Sequence, residues 1–165
     1  MTAVYVDIGS NVNPAENVAA CAVALRAAYP GIRFSKPYSS KAEGFDGDDF
    51  INMSAGFETP LSYQEVRSFL RKIEADQCRV RREGKKFSSR SLDVDILLFG
   101  DEILKPDYDV PRAEILKFPF VLFPLAEIAA EVIHPELNIT IAEIAAASQL
   151  DRGNIWPVEL IQETK

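Results

Sequence analysis

Asp93 and Asp95 stand two residues apart in Leu92-Asp93-Val94-Asp95-Ile96-Leu97-Leu98, a segment that alternates apolar and acidic side chains before it turns wholly apolar. If Leu92, Val94, Ile96 and Leu98 face packed helices, strand alternation turns both carboxylates to the opposite face. Their Cβ atoms then lie roughly 7 Å apart, near enough for oxygens of both to bind hard cations. Mg²⁺ takes such oxygen ligands, keeps several waters and completes its shell with nucleotide phosphates. An isolated Asp-x-Asp is more often a solvent-facing strand with two incidental acids, so context decides. Directly upstream, residues 79–90 read Arg-Val-Arg-Arg-Glu-Gly-Lys-Lys-Phe-Ser-Ser-Arg, six bases to one acid. The guanidinium forks of Arg79, Arg81 and Arg90 suit phosphate oxygens and can neutralise charge as a phosphoryl bond breaks. The plain alternative for such a run is a solvated basic loop. Bases beside carboxylates point to a site for an anion together with a cation.

A second constellation is Phe50-Ile51-Asn52 with Phe120. Two phenylalanines can sandwich a flat heteroaromatic ring while the Asn52 amide offers two donors and an acceptor to its edge. Core aromatics and a turn asparagine are the commoner explanation. Gly9-Ser10-Asn11 resembles a phosphate turn but has neither a GxGxxG nor a GxxxxGK[ST] pattern. His134, before Pro135, is expected to be a turn residue rather than a ligand, and Trp156 falls in a C-terminal tail with little to say.

The rest of the composition narrows the chemistry. The chain has 165 residues, 47% hydrophobic and 26% charged, which suits one globular domain over 1–165 with a real core. Its formal charge of −7 argues against nucleic acid as a partner. Phe87 is the lone aromatic in the basic segment, which further weakens that class. No apolar run reaches the roughly 18 residues of a membrane span, and the opening Met-Thr-Ala-Val-Tyr-Val-Asp is not a signal peptide. Cys21 and Cys78 have no metal-ligand spacing, and one histidine supplies neither a zinc site nor a Ser/His or Cys/His pair. A cytoplasmic location is the expectation.

These residues need elements to hold them. Residues 3–8 alternate as a first strand, and Asn13-Pro14-Ala15-Glu16 caps a helix carrying Val18, Ala22, Leu25 and Tyr29 on one face. Pro30-Gly31 stops it, and residues 32–39 form a second strand weakened by Pro37. An acidic loop over 43–49 leads to a third strand over 50–59. Ser62 and Glu65 form a capping box for a second helix with Val66, Phe69, Leu70 and Ile73 on one face. The 79–90 segment lacks apolar periodicity and is expected to be a loop; the strand with both aspartates follows and ends at Gly100. The order βαββαβ predicts an α+β, ferredoxin-like core: an antiparallel sheet with helices on one face, plus C-terminal additions. The additions include an apolar run over 118–130 and a short helix opened by the capping box Thr140-Ile141-Ala142-Glu143.

With these residues assembled, the chain resembles the 6-hydroxymethyl-7,8-dihydropterin pyrophosphokinase family from Tyr5 to about Ile144. The carriers are Ile8-Gly9-Ser10-Asn11, Phe50-Ile51-Asn52, Ile73-Glu74 with Arg79-Val80-Arg81, the stretch from Arg90 to Gly100, and Val110-Pro111 with Phe120-Val121-Leu122-Phe123-Pro124-Leu125. The Arg-x-Leu-Asp-x-Asp-x-x-Leu-x-Gly pattern is the most specific of these. The resemblance implies transfer of pyrophosphate from ATP to the pterin hydroxymethyl group, with release of AMP. It implies two Mg²⁺ ions on Asp93 and Asp95, and Arg79 and Arg90 closing over the reacting phosphates. Glu74, Arg81, Ile96 and Arg112 fall around the nucleotide. Asn52 falls on the pterin's hydrogen-bonding residue, Phe50 (where tyrosine is frequent) and Phe120 on its stacking pair, and Ser40 near its edge. ATP and a reduced pterin are the implied partners, with no obligate protein partner.

Three positions depart from the family's pattern. Arg112 follows Pro111 where histidine is usual, and it cannot act as a neutral donor or shuttle a proton. Tyr38-Ser39-Ser40-Lys41-Ala42-Glu43 replaces a proline-containing loop, and Phe118-Pro119 replaces a basic, glycine-containing approach to Phe120. A paralogue that binds Mg-nucleotide but uses another small acceptor therefore stands as an alternative. A non-catalytic pterin- or nucleotide-binding module is a further one, and a metal-dependent nuclease is the outsider.

Overall fold

The computed structural model describes residues 1–41, 50–84 and 92–160, with the side chains of 78–84 outside the description. Three long strands carry the architecture: β1 (Thr2–Ser10), β4 (Phe50–Thr59) and β5 (Asp93–Phe99). Helix α1 (Pro14–Ala28) and helix α2 (Tyr63–Gly84) connect them, together with the short strands β2 (Arg33–Phe34) and β3 (Tyr38–Ser40). After β5 come α3 (Pro119–Ala129), α4 (Ile141–Ala147) and a last strand β6 (Ile155–Pro157). The strands form one antiparallel sheet in the order β5-β1-β4-β3-β6, with β2 pairing β4 alongside β3.

Alternation along β1 and β4 decides what each face receives. Val4, Val6 and Ile8 of β1 join Ile51, Met53, Ala55 and Phe57 of β4 in one buried cluster with Val18 and Leu25 of α1 and Val66, Leu70 and Ile73 of α2. Truncating one such fully buried leucine to alanine costs about 2–5 kcal/mol. The intervening residues face the other way, where Tyr5 packs with Leu97, Leu98 and the apolar side of α3. The two core helices α1 and α2 line the first face, as expected, and the C-terminal additions cover part of the second. Tyr5 lies across Gly56, its partner in the ladder. A Cβ there would meet the Tyr5 ring at 2.6 Å, so only glycine admits this ring.

The core elements fall close to their expected places, and the departures have local causes. The 32–39 strand is split in two around Pro37, which has no N–H to give a ladder. Asn13 does precede α1 but sits in the left-handed region at φ 43°, without a side-chain cap; Asn17 Nδ2 donates to the Val12 carbonyl instead. The other two boxes form: Glu65 N donates to Ser62 Oγ at 3.1 Å, and Glu143 N to Thr140 Oγ1 at 3.0 Å. The first half of the expected 79–90 loop is helix, because α2 runs on to Gly84. Apolar periodicity detects helix that packs on a core, whereas arginine and glutamate favour helix by backbone propensity alone. The tail segment around Trp156 is the edge strand β6, with Trp156 paired to Ser39.

Strand β5 holds the main surprise. Its register against β1 shifts between Val6–Ile96 and Tyr5–Leu98, leaving Leu97 as an extra residue. Such a bulge changes the phase of alternation. Leu92, Val94 and Ile96 face α1 and α2 as expected, but Leu98 turns to the α3 face and Phe99 takes the helix side. The extra residue's carbonyl accepts the backbone N–H of Arg112 at 3.0 Å.

Candidate functional site

The face of the sheet opposite α1 and α2 is covered by α3 over only part of its area. The remainder is floored by Asp93 and Asp95 of β5, Asp7 and Gly9 of β1, Phe50 and Asn52 of β4, and Ser40 of β3. These residues line a cavity of about 720 Å³ whose far wall is Phe118, Pro119, Phe120 and Trp156, with Glu114 at its rim. A smaller hollow of about 470 Å³, edged by Tyr29 and Arg33, holds none of the expected site residues. The strand order sets the scale: β5 and β4 are separated by β1, so the carboxylates and Asn52 lie about 10 Å apart across two strand spacings.

At the β5 end, Asp93 and Asp95 share the cavity face, as alternation requires before the bulge. Asp95 is held between two guanidinium groups, Arg71 at 3.7 Å and Arg112 at 3.7 Å, each facing a different carboxylate oxygen. Arg112 also donates from Nε to Glu114 at 3.1 Å. Asp95 and the two acids beside Arg112 hold its guanidinium more firmly protonated, even though partial burial works the other way. Glu74 does not line the cavity. One of its oxygens accepts the Val94 N–H at 2.6 Å and the other pairs with Arg71 at 3.1 Å, so it ties α2 to the start of β5. Partial burial raises the Glu74 carboxyl above its ordinary range, and the Val94 N–H and Arg71 offset this. Arg71 in turn donates to the Val94 carbonyl at 2.8 Å.

The two aspartates supply oxygen ligands only, which suits a hard cation and no thiolate or imidazole metal. Among the described residues no group of three or more acidic, histidine or cysteine side chains gathers to hold a metal by itself. A pair of carboxylates fits Mg²⁺, which leaves the rest of its shell to water and phosphate, and does not fit an all-protein cage.

At the β4 end, Phe50, Phe120, Ser40 and Asn52 all line the cavity, the last two buried to 7% and 3% exposure. Phe120 stacks on Phe118 with centroids 5.0 Å apart and planes at 13°. Phe118 thus extends the aromatic wall. Asn52 donates from Nδ2 to both carboxylate oxygens of Asp7, at 3.1 and 3.3 Å. Asp7 is itself buried, and that burial pushes its carboxyl up to about 8; the Asn52 N–H pulls the other way, and the Asp95 and Glu114 charges add to the rise. The cluster is braced from behind, where Glu127 of α3 accepts from the Tyr38 hydroxyl and the Lys36 N–H, each at 2.8 Å.

Of the expected site residues, the fold gathers Asp93, Asp95, Ser40, Phe50, Asn52 and Phe120 around one cavity and sets Arg112 against Asp95. The Ile96 side chain is buried on the opposite, α1–α2 face, so only its main chain is on offer. Arg79 and Arg81 lie in the last turns of α2, with side chains outside the description, and Arg90 lies outside the described residues, as does the 43–49 loop. His134 is a buried turn residue whose Nδ1 accepts from the Glu136 and Leu137 N–H groups. Sequence reasoning missed Asp7, Arg71 and Trp156. For Asp7 a signal was there: one acid amid Val4-Tyr5-Val6 and Ile8, in phase with Tyr5 and out of phase with the valines.

Comparison with known proteins points to a family. Residues 5–130 match the family model of 7,8-dihydro-6-hydroxymethylpterin-pyrophosphokinase (HPPK). A 2-amino-4-hydroxy-6-hydroxymethyldihydropteridine pyrophosphokinase of Synechocystis is 34% identical over 157 residues, 93% of this chain and 78% of the relative. Its Haemophilus influenzae namesake is 35% identical over 144 residues, 84% of this chain and 89% of the relative. Among solved structures, a triple-mutant HPPK-DHPS of Plasmodium falciparum with pteroate superposes with a TM-score of 0.61 at 12% identity. That match covers 94% of this chain and 46% of the other, so the chain spans less than half of that protein, and the likeness concerns the fold.

Proposed function

The chain belongs to the 7,8-dihydro-6-hydroxymethylpterin-pyrophosphokinase family and transfers pyrophosphate from ATP to 6-hydroxymethyl-7,8-dihydropterin in folate biosynthesis; from that premise we propose how its residues divide the work. The pterin ring stacks between Phe50 and Phe120, with Asn52 and Ser40 at its edge. The triphosphate of ATP lies toward Asp93 and Asp95, and Arg112 reaches it from beside Asp95. One observation carries this division: a single cavity holds a carboxylate pair over β5 and an aromatic-amide cluster over β4, at a separation that fits a ring bearing a short alcohol arm.

The reaction asks mainly for alignment and charge neutralisation. The hydroxymethyl oxygen attacks the β-phosphorus, the bond from that phosphorus to the α-phosphate oxygen breaks, and AMP departs. Asp93 and Asp95 hold Mg²⁺, two ions on this reading, which when bound neutralises phosphate charge and lowers the pKa of the attacking hydroxyl. Glu74 works at one remove, fixing Val94 and hence the aspartates on either side of it. Ile96 contributes main-chain groups to the nucleotide. Arg79, Arg81 and Arg90 supply cations to the phosphates. No histidine base is needed, which suits a chain whose single histidine is committed to a turn.

Residues 1–165 read as one domain. Its β1-α1-β2/β3-β4-α2-β5 portion reads as a ferredoxin-like core, which the strand order β5-β1-β4 with β2 and β3 beyond β4 supports. The buried free thiol of Cys21 suits a reducing compartment, and the reaction is assigned to the cytosol.

Separating nucleotides after incubation with Mg-ATP and the reduced hydroxymethylpterin tests the assignment. AMP formed only when the pterin is present supports it. ADP, or no nucleotide product, overturns it.

A further inference from the structure

Asp7 has no part in the reaction as set out above, yet it is an expensive residue to keep. It sits in the middle of β1, only 8% exposed, and apolar packing fills the strand around it. A carboxyl removed from water needs a hydrogen-bond partner, and the partner is the side-chain amide of Asn52, at 3.1 and 3.3 Å.

This bond has a direction. In the structure the NH₂ end of Asn52 faces β1, where both Asp7 oxygens accept from it, and its carbonyl end faces away. An ionised Asp7 can only accept and so enforces this orientation, and a protonated one still offers its C=O to the same N–H. Gly9 is what admits the amide here, for a Cβ there would lie 2.8 Å from Asn52 Nδ2. Its Oδ1 is buried and has no hydrogen-bond partner among the described residues. A buried acceptor left unsatisfied is a standing cost that an incoming N–H removes. Asp7, Gly9 and Asn52 all line the large cavity.

We propose that Asp7 is a positioning residue for ring recognition: it holds Nδ2 of Asn52 and so presents Oδ1 as a fixed acceptor to a ring N–H of the substrate. The inference rests on the reading of Asn52 as the amide that meets the pterin, and it makes this site selective for heterocycles with a lactam-type N–H on that edge. An amide free to turn would offer a donor or an acceptor with equal ease and would discriminate less.

Two variants separate the lock from simple packing. Asp7→Asn keeps an oxygen that can accept from Nδ2; Asp7→Ala removes it, and with it a buried carboxyl, so thermal unfolding is followed alongside. In ligand-free, ¹⁵N-labelled protein, the Asn52 side-chain resonances are assigned by their loss in Asn52→Ser. Wild type and Asp7→Asn should show slow solvent exchange of that amide, and Asp7→Ala exchange at least about tenfold faster. In turnover, Asp7→Ala should raise the KM for the hydroxymethylpterin about tenfold while the KM for Mg-ATP stays within about twofold, and Asp7→Asn should restore most of the loss. Rapid exchange of the Asn52 amide in the wild type overturns the proposal whatever the variants do. So does a pterin KM in Asp7→Ala that stays within about twofold of wild type. A wild-type protein that makes no pterin-dependent AMP would strike the substrate assignment instead, and the amide exchange would still decide the lock.

Discussion

Asp7 and Asp95 are partners across the β1–β5 ladder, two acids side by side on one face of the sheet, and their surroundings part them. Asp95 lies 3.7 Å from each of Arg71 and Arg112, whereas Asp7 leans on a neutral amide and is driven toward its acid form by burial. Adjacent carboxylates thereby stand in different surroundings, one between two guanidinium groups and the other against a neutral side-chain amide.

Asp95→Asn should cut turnover by more than about a hundredfold, since a metal's charge stabilisation is worth several kcal/mol. The neutral amide keeps the side-chain shape, so the thermal midpoint should move by no more than about 3 °C. A near-normal rate in saturating Mg²⁺ would remove Asp95 from the metal site.

Gly9→Ala should raise the KM for the pterin by about tenfold and leave that for Mg-ATP unchanged. The new methyl must displace the Asn52 amide, 2.8 Å away. Matching losses for both substrates would mean that the strand had shifted as a whole.

Glu74→Ala should lower stability by about 2 kcal/mol, because the Val94 N–H and Arg71 lose a shared carboxylate. At this chain length that is roughly 4–8 °C in the thermal midpoint. Glu74→Gln can still accept the Val94 N–H and should lose less. Equal midpoints for wild type and Glu74→Ala would show that β5 needs no such tie.

His134 should make the protein less stable on mild acidification. Burial lowers its pKa in the folded chain, and its Nδ1 must stay unprotonated to accept two N–H groups. As pH falls below about 6.5 the unfolded chain takes up a proton that the folded chain refuses, so stability drops until the folded pKa is passed. Above about 6.5 this contribution is fully present. His134→Asn, whose oxygen can accept the same N–H groups, should flatten that part of the curve in urea unfolding between pH 5 and 8. A variant with the same slope as wild type would assign the acid sensitivity elsewhere.

Much of the framework was legible because packing leaves periodic marks. The strand over 50–59 appears at those very bounds, since its alternate residues Ile51, Met53, Ala55 and Phe57 all meet the helices. The Asp93/Asp95 face and the Phe50–Asn52–Phe120 grouping were likewise readable, the first from alternation and the second with help from a family resemblance. Features that depend on distant partners were not. The end of α2 leaves no apolar trace, β6 is a strand only because Ser39 and Ser40 are there to pair with it, and the Leu97 bulge has no compositional sign. Arg71 carries no mark in the sequence, and only the fold brings Asp95 within its reach.

That irregularity in β5 does more than swap which side chains point where. As the edge of the sheet, β5 has backbone groups on its outer side that a passing chain can pair with. Here the hook falls on the surplus residue, whose oxygen accepts the Arg112 N–H, and a guanidinium is parked beside an acid two positions upstream. Shortening the ribbon by that one residue would misalign sheet, hook and charge together, a frameshift written in space rather than in code.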